Sequence, residues 1–146
     1  MDDLEAFVER LHQALDEFFR GNPSPVLPLF SRADDVTLGN PFGPFVRGFE
    51  DVSDRATAGA THYRNGEAVA FDRIATYMSA DLAGFVEIER YRAKVGGSQE
   101  MADVALRVTT IARREEDGVW RIASRHADPI TVARPAESVI QRHDAE

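Results

Sequence analysis

The segment 119–128 holds a histidine and a carboxylate near the end of a predicted strand. Side chains on a strand alternate between two faces. One face is predicted to carry Trp120, Ile122, Ser124, His126 and Asp128, and the other Arg121, Ala123, Arg125 and Ala127. The first face begins apolar and ends polar, as expected of a strand that crosses a core and emerges at the mouth of a cavity. Because imidazole titrates near neutral pH, His126 and Asp128 are the candidate groups for proton transfer.

Both candidates also have a structural interpretation. His126 could be a half-buried histidine that hydrogen-bonds at the end of the sheet, and Asp128, which precedes Pro129, could end the strand through a local turn. A catalytic triad with Ser124 is disfavoured. Neighbours on one face of a strand lie about 6.5–7 Å apart at the backbone, whereas a triad needs hydrogen bonds of about 2.6–3.2 Å.

Arg107 lies in the middle of a predicted interior strand, among apolar neighbours. A lone buried guanidinium is too costly, so Arg107 needs a carboxylate partner, such as Glu87 or Glu89 on the preceding strand, or an anionic ligand. The first arrangement would be a cross-strand ion pair on the outer surface of the sheet. The second would place Arg107 in a cavity, where it could bind an oxyanion or a carboxylate.

Several aromatic and amide side chains could contact a ligand. Tyrosines could donate hydrogen bonds into a cavity, phenylalanines could form its apolar wall, and an asparagine on a turn-rich loop could point at its mouth. These candidates are Tyr63, Tyr77, Tyr91, Phe42, Phe49 and Asn40. Each also has an ordinary interpretation as a core residue or, for Asn40 before a proline, as a turn residue.

The hydrophobic pattern predicts two helices followed by long strands. Helical spacing predicts an amphipathic helix over 3–20 and a second over 48–63, which Asn65 and Gly66 would end. A short helix or turn over 25–30 and a short strand at 36–38 lie between them. Alternation predicts strands over 68–81, 84–95, 101–114 and 119–128. This order favours an α+β fold in which an antiparallel sheet wraps around the helices, leaving a pocket between the two layers. The domain is predicted to span 1–130, followed by a polar tail over 131–146.

The composition disfavours several classes of function. The 146 residues suit a single domain, and the net charge of −8 disfavours nucleic acids and anionic membranes as partners, since both attract Lys and Arg. The acidic N-terminus does not match a signal peptide, and no apolar run is long enough to span a bilayer, so a cytoplasmic location is expected. The chain has no cysteine, four scattered histidines and no phosphate-binding or dinucleotide-binding glycine motif. No metal and no cofactor are expected.

A resemblance to a known family rests on the order of five short motifs. They are Asp35-Val36-Thr37-Leu38, Pro41-Phe42-Gly43-Pro44, Gly48-Phe49 with Val52, Leu106-Arg107-Val108-Thr109, and Trp120-Arg121-Ile122 with His126-Ala127-Asp128. With this order of elements, the chain resembles the SnoaL-like proteins of the nuclear transport factor 2-like, ketosteroid isomerase-like superfamily. The resemblance implies a cone-like α+β fold with a deep pocket, commonly a homodimer. It also implies the metal-free chemistry of isomerases, polyketide cyclases, hydrolases and dehydratases.

The resemblance also bears on the candidate base. Asp35 lies near the early strand where steroid isomerases carry an acidic base, but the tyrosine that those enzymes place on the first helix is missing here. The cyclases carry an Asp and a His on the late strands, which Asp128 and His126 match. The candidate enzyme is therefore an isomerase or a polyketide cyclase-like lyase, with His126, Asp128 or Asp35 as the base.

Two functions follow from the sequence. The first is an enzyme that binds a small, apolar, carbonyl-bearing molecule and transfers a proton, with His126 or Asp128 as acid/base and Arg107 or a tyrosine stabilising the oxyanion. The second is a non-catalytic ligand-binding or dimerising module on the same fold. A homodimer through the convex face of the sheet is expected in either case, because that face is predicted to be apolar. Its predicted residues are Ala70, Ile74, Met78, Val86 and Ile88.

Overall fold

The computed structural model describes residues 2–142; residue 1 and the last part of the predicted tail, 143–146, lie outside the described residues. Helix α1 spans Asp3–Phe18. It begins where the Asp2 side chain accepts a hydrogen bond from the Glu5 backbone N–H at 2.8 Å, which satisfies one of the free donors of the first turn. Its apolar stripe is buried and comprises Leu4, Phe7, Val8, Leu11, Ala14 and Leu15.

Helix α2 spans Phe49–Ala60 and is shorter than the predicted 48–63. The chain turns after Ala60, where the His62 N–H bonds the Gly59 carbonyl, and a strand begins at Tyr63. Asn65 and Gly66 therefore do not end α2, as predicted, but form an irregularity within that strand. Asn65 has a φ of 57° there, and the Gly66 N–H bonds the carbonyl of Phe19, just past the end of α1.

The sheet contains six strands. They are β1 (Thr37–Gly39), β2 (Val46–Arg47), β3 (Tyr63–Met78), β4 (Leu82–Val95), β5 (Met101–Arg114) and β6 (Trp120–Asp128), in the spatial order β2-β1-β6-β5-β4-β3. The four long strands are antiparallel, as predicted, while β1 runs parallel to β6 and makes the sheet mixed. The predicted α+β fold is confirmed.

The sheet wraps around α1. This helix packs against both β3 and β6, although β4 and β5 separate those strands in the sheet. A flat sheet could not bring two such distant strands onto one helix, so the long strands must curve around it. After β6 the chain continues through a short, exposed 3₁₀ turn at Ala136–Val139. No helix among residues 2–142 is long and apolar enough to cross a membrane.

Candidate functional site

A cavity lies between the helices and the inner face of the sheet. Both helices contribute to its wall, α1 through Leu15 and Phe18 and α2 through Ala56 and Gly59, and Phe19 adds to it just past the end of α1. The volume of the cavity is about 50 Å³. The cavity therefore suits a compact molecule of a few non-hydrogen atoms.

The lining of this cavity is apolar except at three side chains. Asn40 lies on the loop after β1, Tyr63 begins β3 and Arg125 lies on β6. Phe42 lies at the mouth, where the residue is 46% exposed and its ring centroid is 5.8 Å from that of Tyr63. The Asn40 side-chain oxygen accepts a hydrogen bond from the Phe42 N–H at 3.0 Å, which forms a local turn within the loop.

Arg125 also forms a buried ion pair with Glu89, which does not itself line the cavity. The two terminal nitrogens of Arg125 donate to the two carboxylate oxygens of Glu89 at 2.8 and 2.6 Å. The Tyr91 hydroxyl donates to the same carboxylate at 2.6 Å. Burial alone would lower the pKa of Arg125, but the charge and hydrogen bonds of Glu89 outweigh it and raise that pKa, so the guanidinium stays charged.

The Tyr63 hydroxyl is the free donor of the cavity. Tyr63 is 4% exposed, and its hydroxyl makes no hydrogen bond to any residue within 2–142. In the described chain, Trp120 Nε1 is the one fully enclosed side-chain polar atom without a partner. The Tyr63 hydroxyl is therefore not fully enclosed, and water or a ligand can reach it. Burial raises the pKa of Tyr63 to about 12, so the hydroxyl keeps its proton at neutral pH.

A β-bulge on β6 explains why Arg125 faces the cavity. In the register with β5, Ile111 pairs with Ser124 but the next residue, Ala112, pairs with Ile122, which leaves Ala123 as an extra residue. A bulge of this kind reverses the alternation of faces beyond it. The prediction of one face from Trp120 to Asp128 is therefore wrong. Trp120 and Ile122 point inward before the bulge, whereas Arg125 and Ala127 point inward after it.

His126, Asp128 and Arg107 lie together on the outer face of the sheet. Arg107 Nε donates to Asp128 at 2.8 Å, and His126 Nε2 lies 3.6 Å from the same carboxylate. The Arg107 and His126 side chains are 53% and 49% exposed, and none of the three lines the cavity. Arg107 thus pairs with Asp128 and not with Glu87 or Glu89, as a cross-strand ion pair at the surface.

Asp128 has a local structural role. Besides the contact with Arg107, it accepts a hydrogen bond from the Ile130 N–H at 2.9 Å, across Pro129. Burial alone would raise the pKa of Asp128, but the hydrogen bonds from Arg107 and from the Ile130 N–H outweigh it and lower that pKa. These contacts match the turn that was the alternative interpretation of this residue.

The structure separates the other sequence candidates. Asn40, Phe42 and Tyr63 line the cavity, whereas Tyr91 lies behind it, stacked on Phe19 at 3.5 Å. Tyr77 is 65% exposed at the far end of β3. Phe49 packs against the core beneath the guanidinium of Arg32, which lies 4.3 Å from its ring centroid, and does not line the cavity.

Asp35 lies next to the early strand β1, as predicted, but not at the cavity, and Met78 differs from its predicted position. Asp35 is exposed and accepts two hydrogen bonds from Arg113, each of 2.9 Å, near the β5–β6 turn and away from the cavity. Met78 was predicted on the convex face, but it pairs with the buried Ala83 and lies on the inner side. A register irregularity between Arg73 and Ala75 shifts the alternation there.

Sequence reasoning missed Arg125 and Glu89 as a pair. The signal for Glu89 was present, because Phe85, Glu87, Glu89 and Tyr91 alternate onto one otherwise aromatic face of β4. Its partner was hidden, because unbroken alternation assigned Arg125 to the opposite face from the cavity. Among residues 2–142, no cluster of three or more His, Cys, Asp or Glu side chains could hold a metal ion.

Solved structures similar to this chain share one fold. A nuclear transport factor 2-like superfamily protein from Salmonella enterica serovar Typhimurium matches at a TM-score of 0.75 and 14% identity, covering 92% of this chain and 93% of that one. A ketosteroid isomerase-like protein from Erwinia carotovora matches at a TM-score of 0.67 and 17% identity, covering 89% of this chain and 95% of that one. The chain has the nuclear transport factor 2-like fold.

A third structure extends the same likeness over nearly the whole chain. The nuclear transport factor 2-like protein of unknown function from Pseudomonas putida matches at a TM-score of 0.66 and 18% identity, covering 98% of this chain and 93% of that one. No protein-family model and no curated protein matches the sequence. The superfamily resemblance is therefore confirmed as a nuclear transport factor 2-like fold, while the SnoaL-like assignment stays a prediction. Fold alone does not determine the reaction or the ligand.

Proposed function

We propose that this nuclear transport factor 2-like protein binds one small, largely apolar molecule with an acceptor oxygen, such as a carbonyl, in the cavity. The observation that carries the proposal is the hydroxyl of Tyr63, a residue that lines the cavity, because it keeps its proton and is bonded to no side chain or backbone group of the described residues. This hydroxyl is not fully enclosed, so water can reach it. A ligand oxygen that displaces that water makes a direct hydrogen bond in apolar surroundings, where such a bond is stronger than in water. Arg125 adds further N–H donors beside it.

Binding is better supported than proton transfer. A general base must reach the proton that it removes, yet none of the cavity-lining residues in the described chain is Asp, Glu or His. Glu89 lies behind Arg125 with both oxygens engaged, and His126 and Asp128 lie on the outer face. The isomerase and cyclase hypotheses therefore lack a base at this cavity.

The test measures the binding of methyl isopropyl ketone, a compact molecule with one carbonyl, by ligand-observed NMR titration. Replacing Tyr63→Phe should weaken binding about fivefold, the effect of one lost hydrogen bond. The matched control is Tyr77→Phe, which removes the same hydroxyl from an exposed tyrosine and should leave binding unchanged.

A second variant tests the location of the ligand. Ala127 lines the cavity from β6, and Ala127→Val adds two methyl groups there while keeping a residue type that suits strands. It should abolish measurable binding. Binding that survives both Ala127→Val and Tyr63→Phe would place the ketone elsewhere and overturn the proposal. Proton exchange or isomerisation of the bound ketone faster than in buffer would show catalysis and would contradict the preference for binding alone.

A further inference from the structure

We infer that the cavity selects uncharged ligands over carboxylates, and that Glu89 sets this selectivity by neutralising Arg125. The inference rests on the proposed function, since it concerns the same cavity and names the class of ligand that the cavity accepts. It differs from the usual expectation that an arginine in a cavity binds an anion.

The geometry of the ion pair leaves no free positive charge at the cavity. Both carboxylate oxygens of Glu89 accept from the terminal nitrogens of Arg125, and the two side chains are 1% and 8% exposed. An incoming carboxylate would have to compete with Glu89 for the same guanidinium. Of the five N–H donors of an arginine, two are engaged with Glu89, and those that remain can serve a neutral acceptor.

The charges around the pair add no attraction for an anion. Arg125 is the one charged residue among those that line the cavity in the described chain. Glu87, two residues from Glu89 on β4, adds a second negative charge, which acts on Arg125. The cations that balance Glu87 are Arg73, at 2.8 Å, and His12, at 2.9 Å when it is protonated, and neither of them lines the cavity.

The two classes of ligand therefore meet different conditions. A carboxylate would give up its hydration to enter a site whose only cation is already paired, and an uncompensated buried charge is far more costly than a buried dipole. A ketone needs only donors, which the Tyr63 hydroxyl and the remaining Arg125 N–H groups supply. These donors can therefore bind an acceptor oxygen, but they do not stabilise a negative charge.

The test compares methyl isopropyl ketone with isobutyrate, which has the same branched shape but carries a carboxylate. At neutral pH the wild-type chain should bind the ketone at least about tenfold more tightly than isobutyrate. Equal or tighter binding of isobutyrate would overturn the inference while leaving the proposed cavity function intact. Binding of neither probe would instead contradict the proposed function.

The variant Glu89→Gln tests the cause of the selectivity. It removes the negative charge, keeps the side-chain size and leaves Arg125 without an anionic partner. Isobutyrate should then bind at least about tenfold more tightly than it binds the wild type, with folding checked by circular dichroism. A folded Glu89→Gln chain that still rejects isobutyrate would overturn the assignment to Glu89.

Glu87→Gln is the matched control. It removes a carboxylate from the same strand and the same face, but one that is bonded to Arg73 and His12. It should change isobutyrate affinity much less than Glu89→Gln. Similar effects of the two variants would show a general loss of negative charge and would overturn the specific role of Glu89. The wild-type comparison decides the selectivity even if Glu89→Gln does not fold.

Discussion

Arg125 on β6 and Glu89 on β4 are joined by two hydrogen bonds of 2.8 and 2.6 Å, although β5 lies between their strands. The pair therefore ties together three strands on the inner face of the sheet. Tyr91 adds a third hydrogen bond to the same carboxylate at 2.6 Å. A buried network of this kind is fully satisfied only when every member is present.

Breaking this ion pair should strongly destabilise the chain. Arg125→Met leaves the Glu89 carboxylate buried without its cation and should lower the free energy of unfolding by about 3–5 kcal/mol. Urea unfolding at neutral pH measures the difference. The double variant Arg125→Met/Glu89→Leu removes both charges and should recover most of the loss, since an apolar pair of similar volume replaces them.

The surface pair Arg107–Asp128 provides the contrast for this prediction. Its hydrogen bond is also 2.8 Å long, but the Arg107 side chain is 53% exposed. Arg107→Met should cost less than about 1 kcal/mol. Equal losses for Arg125→Met and Arg107→Met would contradict the importance of burial at Arg125.

The order of elements follows from patterns that are visible in the sequence. The apolar stripe of α1 and the alternation within the long strands depend on local spacing alone, so the two helices and the four long strands were predicted within a few residues of their observed bounds. The two-residue strand β2, which is too short to show a period, was not predicted. Tyr63, Asn40 and Phe42 were likewise predicted as ligand contacts and line the cavity. These predictions needed only residue type and a coarse position.

The orientation of β6 could not be predicted in the same way. Nothing local marks Ala123 as an extra residue, because the bulge is defined by the pairing of Ala112 with Ile122 and of Ile111 with Ser124. That register depends on which residues of β5 pack inward. Because of this one bulge, Arg125 lines the cavity where the sequence predicts His126. The expected chemistry of the cavity therefore changes from proton transfer to hydrogen-bond donation.

Replacing His126 should have little effect, because the bulge on β6 turns its side chain away from the cavity. The imidazole lies on the outer face, about half exposed, with its ring centroid 5.2 Å from that of Phe45. His126→Ala should change the free energy of unfolding by no more than about 0.5 kcal/mol, and it should leave the ketone affinity unchanged. A tenfold loss of ketone affinity in His126→Ala, measured by NMR titration beside Ala127→Val, would show that His126 faces the ligand.

Glu87 should contribute to stability in a pH-dependent way. Its carboxylate is 2% exposed and accepts hydrogen bonds from His12 at 2.9 Å and from Arg73 at 2.8 Å. Burial alone would raise the pKa of Glu87, but these two partners outweigh it and lower that pKa below 4.5. The stabilisation is therefore fully present above pH 4.5 and is lost as the pH falls through the lowered folded-state pKa.

Urea unfolding at several pH values between about pH 6 and about pH 3 compares the free energy of unfolding of the wild type with that of Glu87→Gln. The variant should be less stable by about 2 kcal/mol at the upper end, and the difference should shrink at the lower end. The control is Glu67→Gln, at an exposed position on β3. A difference for Glu87→Gln that stays constant or grows towards low pH would contradict the lowered pKa.

Gly66 should tolerate no side chain, because β3 approaches the end of α1 closely at this point. The Gly66 N–H donates to the Phe19 carbonyl at 3.0 Å and so satisfies an acceptor at the helix end. A Cβ at Gly66 would overlap the backbone carbonyl of Phe19 and would lie 3.0 Å from Ala93 Cβ. Backbone cannot move aside as a flexible side chain can, so Gly66→Ala should cost about 2–3 kcal/mol.

Gly97, in the turn after β4, is the matched control for Gly66. A Cβ at Gly97 meets nothing within 4 Å, so Gly97→Ala should leave stability unchanged or raise it by up to about 1 kcal/mol by restricting the unfolded chain. Thermal unfolding of the two alanine variants measures the contrast. If Gly66→Ala unfolded at the wild-type temperature, β3 could not lie this close to Phe19. Tyr63, three residues earlier on β3, would then not be held at the cavity by this contact.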